Sequence, residues 1–309
     1  MLFSIGEILV DIFDDGDHQE VHPGGAPFNV ACNALQYTRD VSFFGAIGED
    51  DYGMTLLSFT SQKPFVYSNI KVLKDRHTTK AIVTLKDGER SFKFDRELGA
   101  DYCLDVEDID ISLIKDNDIV HLGSLMLSHE RGVKFFNEII KQIKATSKAK
   151  ISFDINYRSD IFKSPEVAKK TFIDALKMVD IIKFSLEDIE LLMGTTDVVS
   201  ALKSLVNKDQ IAIVSLGKEG SMYYKDGHIV KAKTYPVKPI DTTGAGDAFY
   251  SYILSLLSED PFALKDDEHI KHLLLRANVA GGLSTLKKGA IHVAPSEYEI
   301  DKFLSSFDE

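Results

Sequence analysis

Hydrophobic positions along this chain fall into two alternating patterns. Short, nearly continuous apolar runs occur at Leu2 to Ile5, Val41 to Phe44, Asp118 to His121, Ile151 to Phe153, Asp180 to Lys183 and Ile211 to Ser215, which is how strands buried on both faces read. Between them, apolar residues recur at helical spacing over Phe28 to Tyr37, Gly132 to Ala145, Val167 to Val179, Ala245 to Ser258 and His269 to Lys287. Ser164-Pro165-Glu166 precedes the third of these, a capping residue followed by a proline suited to the first helical position. Strands alternating with helices predict parallel βαβ units, hence an α/β fold with a doubly wound, mostly parallel sheet flanked by helices on both faces.

One stretch departs from that rhythm. Thr78 to Leu85 and Arg90 to Phe94 are β-type runs joined by Lys86-Asp87-Gly88-Glu89, with no helix between them, and they predict a hairpin. With the segment Ile12 to Val21 they are expected to form a small antiparallel β lid, drawn from about residues 12–22 and 68–97 and inserted into one domain spanning 1–309. No repeat of fixed period and no Ser/Gly-rich linker marks a second tethered module.

Composition narrows the function classes. The 309 residues are 44% hydrophobic and 27% charged, ordinary usage for a folded globular chain. With 36 basic against 48 acidic residues the formal net charge is -12, a field that argues against nucleic acid or an anionic membrane as the main partner. A small anion such as ATP remains compatible, because local backbone dipoles and a bound metal overcome a distant field. Cys32 and Cys103 are too few and too separated for a disulfide framework, and a reducing, cytoplasmic setting is expected. The start, MLFSIGEILVDIF, has no basic flank and meets an acidic residue at position seven, so it reads as a first strand and not as a signal peptide. No apolar run reaches membrane-spanning length, and the nine histidines lack zinc-ligand spacing.

The chemistry concentrates in Asp241-Thr242-Thr243-Gly244-Ala245-Gly246-Asp247-Ala248-Phe249, which runs into an apolar helix. Gly244, Ala245 and Gly246 leave the backbone unshielded, so successive N–H groups at a helix N-terminus can close on a phosphate. Asp247 falls in the first helical turn, where the dipole favours its ionised form and makes it available as a base. Gly-x-Gly-Asp alone reads equally as a glycine-rich loop with an aspartate near a helix start; the whole nonapeptide is far more specific.

That nonapeptide resembles the C-terminal signature of the PfkB, or ribokinase-like, family of carbohydrate kinases. The resemblance covers nearly the whole chain in order. Gly6-Glu7-Ile8-Leu9-Val10-Asp11 and Pro23-Gly24-Gly25-Ala26-Pro27-Phe28-Asn29-Val30-Ala31 are similar to the family's sugar-binding segments, in the form that its fructokinases carry. Gly45 to Gly53, Gly88 to Phe92, Gly99 to Asp101, His121 to Leu125, Phe153 to Arg158 and Ser215 to Gly220 continue the match. The resemblance implies an ATP-dependent sugar kinase with Asp247 as general base and the Gly244 to Asp247 amides as an anion hole. It implies sugar binding by Asp11, Gly24, Gly25, Asn29 and Arg158, and nucleotide binding by Ser185, Ser215, Gly217, Lys218, Gly220 and Asn278. Lys183-Phe184-Ser185-Leu186-Glu187-Asp188 stands where the family has Asn-x-x-Glu, so Glu187 or Asp188 is the carboxylate implied for Mg²⁺. Asp241 and Thr243 stand where many relatives hold a monovalent cation, which would be K⁺.

Each assignment has a structural alternative on local sequence alone. Asn29 could serve a turn, Ser185 could cap the helix that follows it, Ser215 to Gly220 could be an ordinary strand turn, and Arg158 could make a surface ion pair. At the level of function, a 2-keto-3-deoxygluconate kinase, a ribokinase or nucleoside kinase, and a catalytically silent sugar-binding regulator share the fold. A dinucleotide-binding Rossmann protein would need Gly-x-Gly-x-x-Gly after the first strand, where only Gly6-Glu7-Ile8 stands. Exposed lid strands offer an edge through which a homodimer would pair.

Overall fold

The computed structural model describes residues 1–14, 19–86, 89–260, 262–291 and 293–307, with side chains except at 14 and 83–92. Its strands, in chain order, are β1 (Leu2–Ile5), β2 (Leu9–Asp14), β3 (Gln19–Gly24), β4 (Val41–Gly48), β5 (Ser68–Leu73), β6 (Lys80–Lys86), β7 (Glu89–Asp95), β8 (Ile119–Leu122), β9 (Lys150–Asp154), β10 (Ile181–Ser185), β11 (Ile211–Ser215), β12 (Ser221–Lys225) and β13 (His228–Ala232). The α-helices are α1 (Ala26–Ala34), α2 (Asp51–Ser61), α3 (Glu130–Thr146), α4 (Pro165–Leu176), α5 (Leu186–Met193), α6 (Val198–Leu205), α7 (Ala245–Glu259), α8 (Asp267–Ser284) and α9 (Glu297–Ser305).

The large sheet has the order β13-β12-β11-β10-β9-β8-β1-β4-β5. Seven of its strands run parallel, and β12 and β13 fold back antiparallel at one edge. Period-two alternation sends successive side chains to opposite faces. Phe3, Ile5, Val120, Phe153, Ile182 and Phe184 pack on one side with α3 residues such as Phe136 and Ile139. Leu2, Val41, Phe43, Ile119, Ile181 and Ile213 pack on the other with Phe28 of α1, Tyr250 of α7 and Leu274 of α8. The expected doubly wound α/β architecture is thus the observed one, and every strand predicted from an apolar run is present.

A second sheet, β3-β2-β6-β7, stands beside the first. Its two hairpins, β2–β3 and β6–β7, are antiparallel as expected, and they join through the parallel pair β2–β6. The turn residues Asp87 and Gly88 of the second hairpin lie outside the described residues, as do the side chains of the Gly88 to Phe92 motif. Residues 68–73, grouped with the lid from sequence, instead form β5 and pair parallel with β4 at the edge of the large sheet. Their β-type composition does not distinguish the two sheets; the crossover through α2 between β4 and β5 does.

The small sheet is tied to the body at the base of its β6–β7 hairpin. Thr79, just before β6, donates to Asp101 Oδ1 at 2.5 Å. Arg96, just after β7, donates Nε to both Asp101 oxygens at 3.1 and 2.9 Å and Nη2 to Asp101 Oδ2 at 2.6 Å. A third apolar cluster, Leu9, Ala81 and Leu125 with Phe94 packed on it, seats the sheet against the body.

Candidate active site

The site forms where β9, β10 and β11 end and α7 begins. Register pairs Asp154 with Lys183 and Ser185 with Ser215 at those carboxyl ends, the edge at which open α/β sheets bind ligands. Gly244 is the N-cap of α7 with φ 73, and a Cβ there would stand 2.5 Å from that of Ala290, so both backbone and packing require glycine. The Ala245 N–H donates to the Thr242 carbonyl at 3.3 Å and that of Ala248 to the Gly244 carbonyl at 2.8 Å. Of the four amides expected, only that of Ala245 is thereby engaged, which leaves those of Gly244, Gly246 and Asp247 as donors at the helix start.

Asp247 is half-buried and accepts from Asn29 Nδ2 at 2.8 Å. This bond joins α1 to α7 and accounts for Asn29, whose Oδ1 is buried without a partner. Burial pushes the Asp247 carboxyl up to about 6, against the pull of Asn29. Asp11, at the middle of β2, is pushed up to about 7 by burial and then by the negative charge of Asp247, while Arg158 pulls it down. Gly24 and Gly25 shape this corner: a Cβ on Gly24 would come within 2.3 Å of Asp11 Oδ2, and one on Gly25 within 2.4 Å of the Glu7 carbonyl. Asp11, Asn29, Arg158 and Asp247 are thus one electrostatic group.

Two cavities flank the α7 start. One, about 670 Å³, is lined by Phe94, Arg158, Lys183, Thr243, Gly244 and Asp247 among others. Arg158 is exposed there and donates to the Tyr157 carbonyl at 2.9 Å; no carboxylate among the described residues forms the surface ion pair considered for it. The other, about 650 Å³, is lined by Ser185, Glu187, Ser215, Gly217, Lys218, Gly220, Tyr235, Val237, Pro239 and Asn278 among others. All six residues expected to bind nucleotide therefore line one cleft. Thr242, Ala245 and Gly246 line both cavities.

Several expected ligands also have structural work. Ser185 caps α5, accepting from the Asp188 N–H at 3.1 Å, while Asp188 accepts from the Ser185 N–H at 2.8 Å and the Tyr157 N–H at 3.2 Å. Asp188 is buried and absent from the cleft wall, whereas Glu187 is exposed on it. Asp241 clamps the loop: its Oδ1 accepts from the Thr243 N–H at 3.0 Å and from the Thr243 hydroxyl at 2.7 Å, and its Oδ2 accepts from the Gly289 N–H at 3.0 Å. Asn278 donates to the Ala232 and Lys233 carbonyls at 3.2 and 3.3 Å, holding the end of β13 against α8.

Lys183 received no role from sequence and stands inside the site. Its side chain is 7% exposed and donates to Asp154 Oδ2 at 2.7 Å. Burial alone would lower its ammonium, yet the charges of Asp154 and Asp188 outweigh that and hold it raised. No local pattern marks it, since Lys183 stands in the middle of β10 and meets Asp154, the last residue of β9, only through the register of the sheet.

Comparison with known proteins gives the family of the chain. The pfkB family carbohydrate kinase pattern matches residues 2–297, so the chain belongs to that family and is a carbohydrate kinase. Among curated relatives it is 31% identical to the probable fructokinase-2 of Arabidopsis thaliana, covering 98% of this chain and 95% of that one. It is 32% identical to the fructokinase-1 of Oryza sativa subsp. japonica, over 99% and 98%. Among solved structures it superposes on a Vibrio cholerae O395 fructokinase in a fructose, ADP and calcium ion bound form, with TM-score 0.88, 28% identity and 98% of each chain covered. An ATP-bound fructokinase from Xylella fastidiosa gives TM-score 0.88 at 25% identity, covering 100% and 99%.

Proposed function

We propose that this kinase transfers the γ-phosphoryl of MgATP to a hydroxyl of free fructose. The observation that carries the reading is the single loop at the α7 start that walls both cavities, with Asp247 at its end. ATP would lie in the cleft between Ser215–Gly220 and Asn278, and the sugar beside Asp11, Asn29 and Arg158. Asp247 takes the proton of the attacking hydroxyl; the sugar oxygen forms a bond to the γ-phosphorus as the bond to the β,γ-bridging oxygen breaks, and ADP leaves with that electron pair. The Gly246 and Asp247 amides and the α7 dipole favour the charge on the transferring group. Phe94 and the small sheet would cover the sugar and keep water from the γ-phosphate.

Magnesium arrives with the nucleotide and supplies charge neutralisation on its phosphates. Among the described residues no three His, Cys, Asp or Glu side chains gather to hold a metal, which suits an ion kept by phosphates and water. Glu187, exposed on the cleft wall, is the better placed carboxylate for it, since both Asp188 oxygens already accept from backbone. One neighbouring structure is a Vibrio cholerae fructokinase in a potassium ion bound form, and the loop that Asp241 clamps, 241–243 against 285–289, is where this chain would take K⁺.

The acceptor is tested by kcat/KM for fructose, ribose, adenosine and 2-keto-3-deoxygluconate in one buffer with ATP. Fructose is expected to lead; a lead for any other acceptor retains the kinase and discards the fructose assignment.

A further inference from the structure

We propose that Lys183 is a catalytic residue of the phosphoryl transfer, its ammonium donating to the transferring phosphoryl group across Gly246 while Asp154 positions it. The inference rests on the kinase reading above. Lys183 sits one layer beneath the α7 start, on the face of β10 that also carries Ile181, and lines the same cavity as Asp247. Its Nζ lies 3.5 Å from where a Cβ on Gly246 would be, and apart from its Cε at 3.7 Å no other atom outside the local chain comes within 4 Å of that point. Packing therefore does not demand glycine at 246, in contrast to 244. What the missing side chain does is leave the Lys183 ammonium uncovered at Gly246, where both residues line the cavity.

The Lys183–Asp154 pair is poorly built for stability. Both side chains are nearly inaccessible, at 7% and 5%, and Asp154 Oδ1 is buried with no partner. A buried ion pair compensates its desolvation only when the remaining lone pairs are satisfied, and apolar residues of similar volume often serve the fold as well. A cation held at such a place, aimed by a carboxylate at a site where negative charge develops, is how preorganised charge accelerates a reaction. The ammonium makes hydrogen bonds only; the hydroxyl proton still goes to Asp247 and the electron pair to ADP.

The test uses Lys183→Met and the double variant Lys183→Met/Asp154→Asn, which removes both charges so that no unpaired carboxylate is left inside. In both, kcat is expected to fall about 10²-fold, the usual loss for one donor to a transition-state charge, while KM for sugar and Kd for ADP change less than about threefold. Affinity for ADP with aluminium fluoride, a mimic of the transferring group, is expected to fall with kcat. Should the single variant fail to fold, the double variant carries the test. A double variant with wild-type kcat and wild-type fluoroaluminate affinity reduces Lys183 to a counter-charge for Asp154 and overturns the proposal. Because the fluoroaluminate arm needs no sugar, it reads Lys183 even if the acceptor is not fructose.

Discussion

At the scale of single residues, the α7 start separates two glycines with opposite reasons to be there. Gly244 holds φ 73 against Ala290, so Gly244→Ala is expected to destabilise by about 1–3 kcal/mol through left-handed backbone strain, more with the clash. Gly246 is helical and a Cβ there would meet only the Lys183 side chain, at an ordinary contact distance of 3.5 Å, so Gly246→Ala is expected to hold or gain stability, by up to about 1 kcal/mol, yet to lose turnover because its methyl occupies the anion site. Thermal unfolding alongside kcat separates them; loss of stability at 246 would contradict this reading of the loop. Asp247→Asn should bind sugar and nucleotide while kcat falls about 10²- to 10⁴-fold, the range for losing a general base. As a base Asp247 acts ionised, so with burial pushing it up to about 6, kcat/KM should rise with pH through that value and level above it. Glu7 runs the other way on stability. Fully buried, with neither carboxylate oxygen partnered, it is pushed up to about 8, so the folded state binds its proton more tightly than the unfolded chain. Its contribution is present below the ordinary glutamate range and is lost as pH rises through about 8. Melting temperature should therefore decline toward pH 9 more steeply in the wild type than in Glu7→Gln; parallel curves would remove Glu7 from that role.

At the scale of elements, the hairpin of β6 and β7 hangs on one carboxylate. Asp101 is fully buried and takes Thr79 and Arg96 together, closing both ends of the hairpin on one point. Asp101→Asn leaves the Arg96 guanidinium, 10% exposed, without its charge partner, and is expected to cost about 3–5 kcal/mol in denaturant unfolding. This was hidden in the sequence, since Gly99-Ala100-Asp101 stood out only as a resemblance. Elements were legible where one local pattern decides them. The central strands and α3, α7 and α8 came through because apolar period fixes both type and face. β12 and β13 were passed over although Asp226-Gly227 between Tyr223-Tyr224 and Ile229-Val230 is a hairpin signal. Lys183 was invisible for a different reason. Its meaning comes from Gly246, at the α7 start much later in the chain, arriving beside its ammonium, and no spacing rule reports that. Asp188 shows the converse: one of the two carboxylates that the resemblance implied for Mg²⁺, it also closes a capping box with Ser185.

At the scale of the whole molecule, two substrates would enter from opposite sides of one loop, the nucleotide through residues of β10, β11 and α8 and the sugar through β2, α1 and β9. A non-hydrolysable ATP analogue is therefore expected to slow hydrogen exchange at Ser215–Gly220 and along the part of α8 that carries Asn278. Protection confined to the first hundred residues would reverse the placement. Fructose alone should instead protect α1 near Asn29. The same view explains why net charge -12 is no obstacle to binding ATP, since the helix start, Lys183 and Arg158 set the local potential.

The wall between the two cavities is made by Thr242, Ala245 and Gly246, residues that face both sides. A compound carrying an adenosine moiety and a fructose moiety on one short polyphosphate tether could fill both halves at once. The second half would then bind intramolecularly, at an effective concentration that approaches the millimolar range for short flexible tethers. Shortening that tether until affinity collapses would measure, with a chemical ruler, how far apart this loop holds the donor and the acceptor.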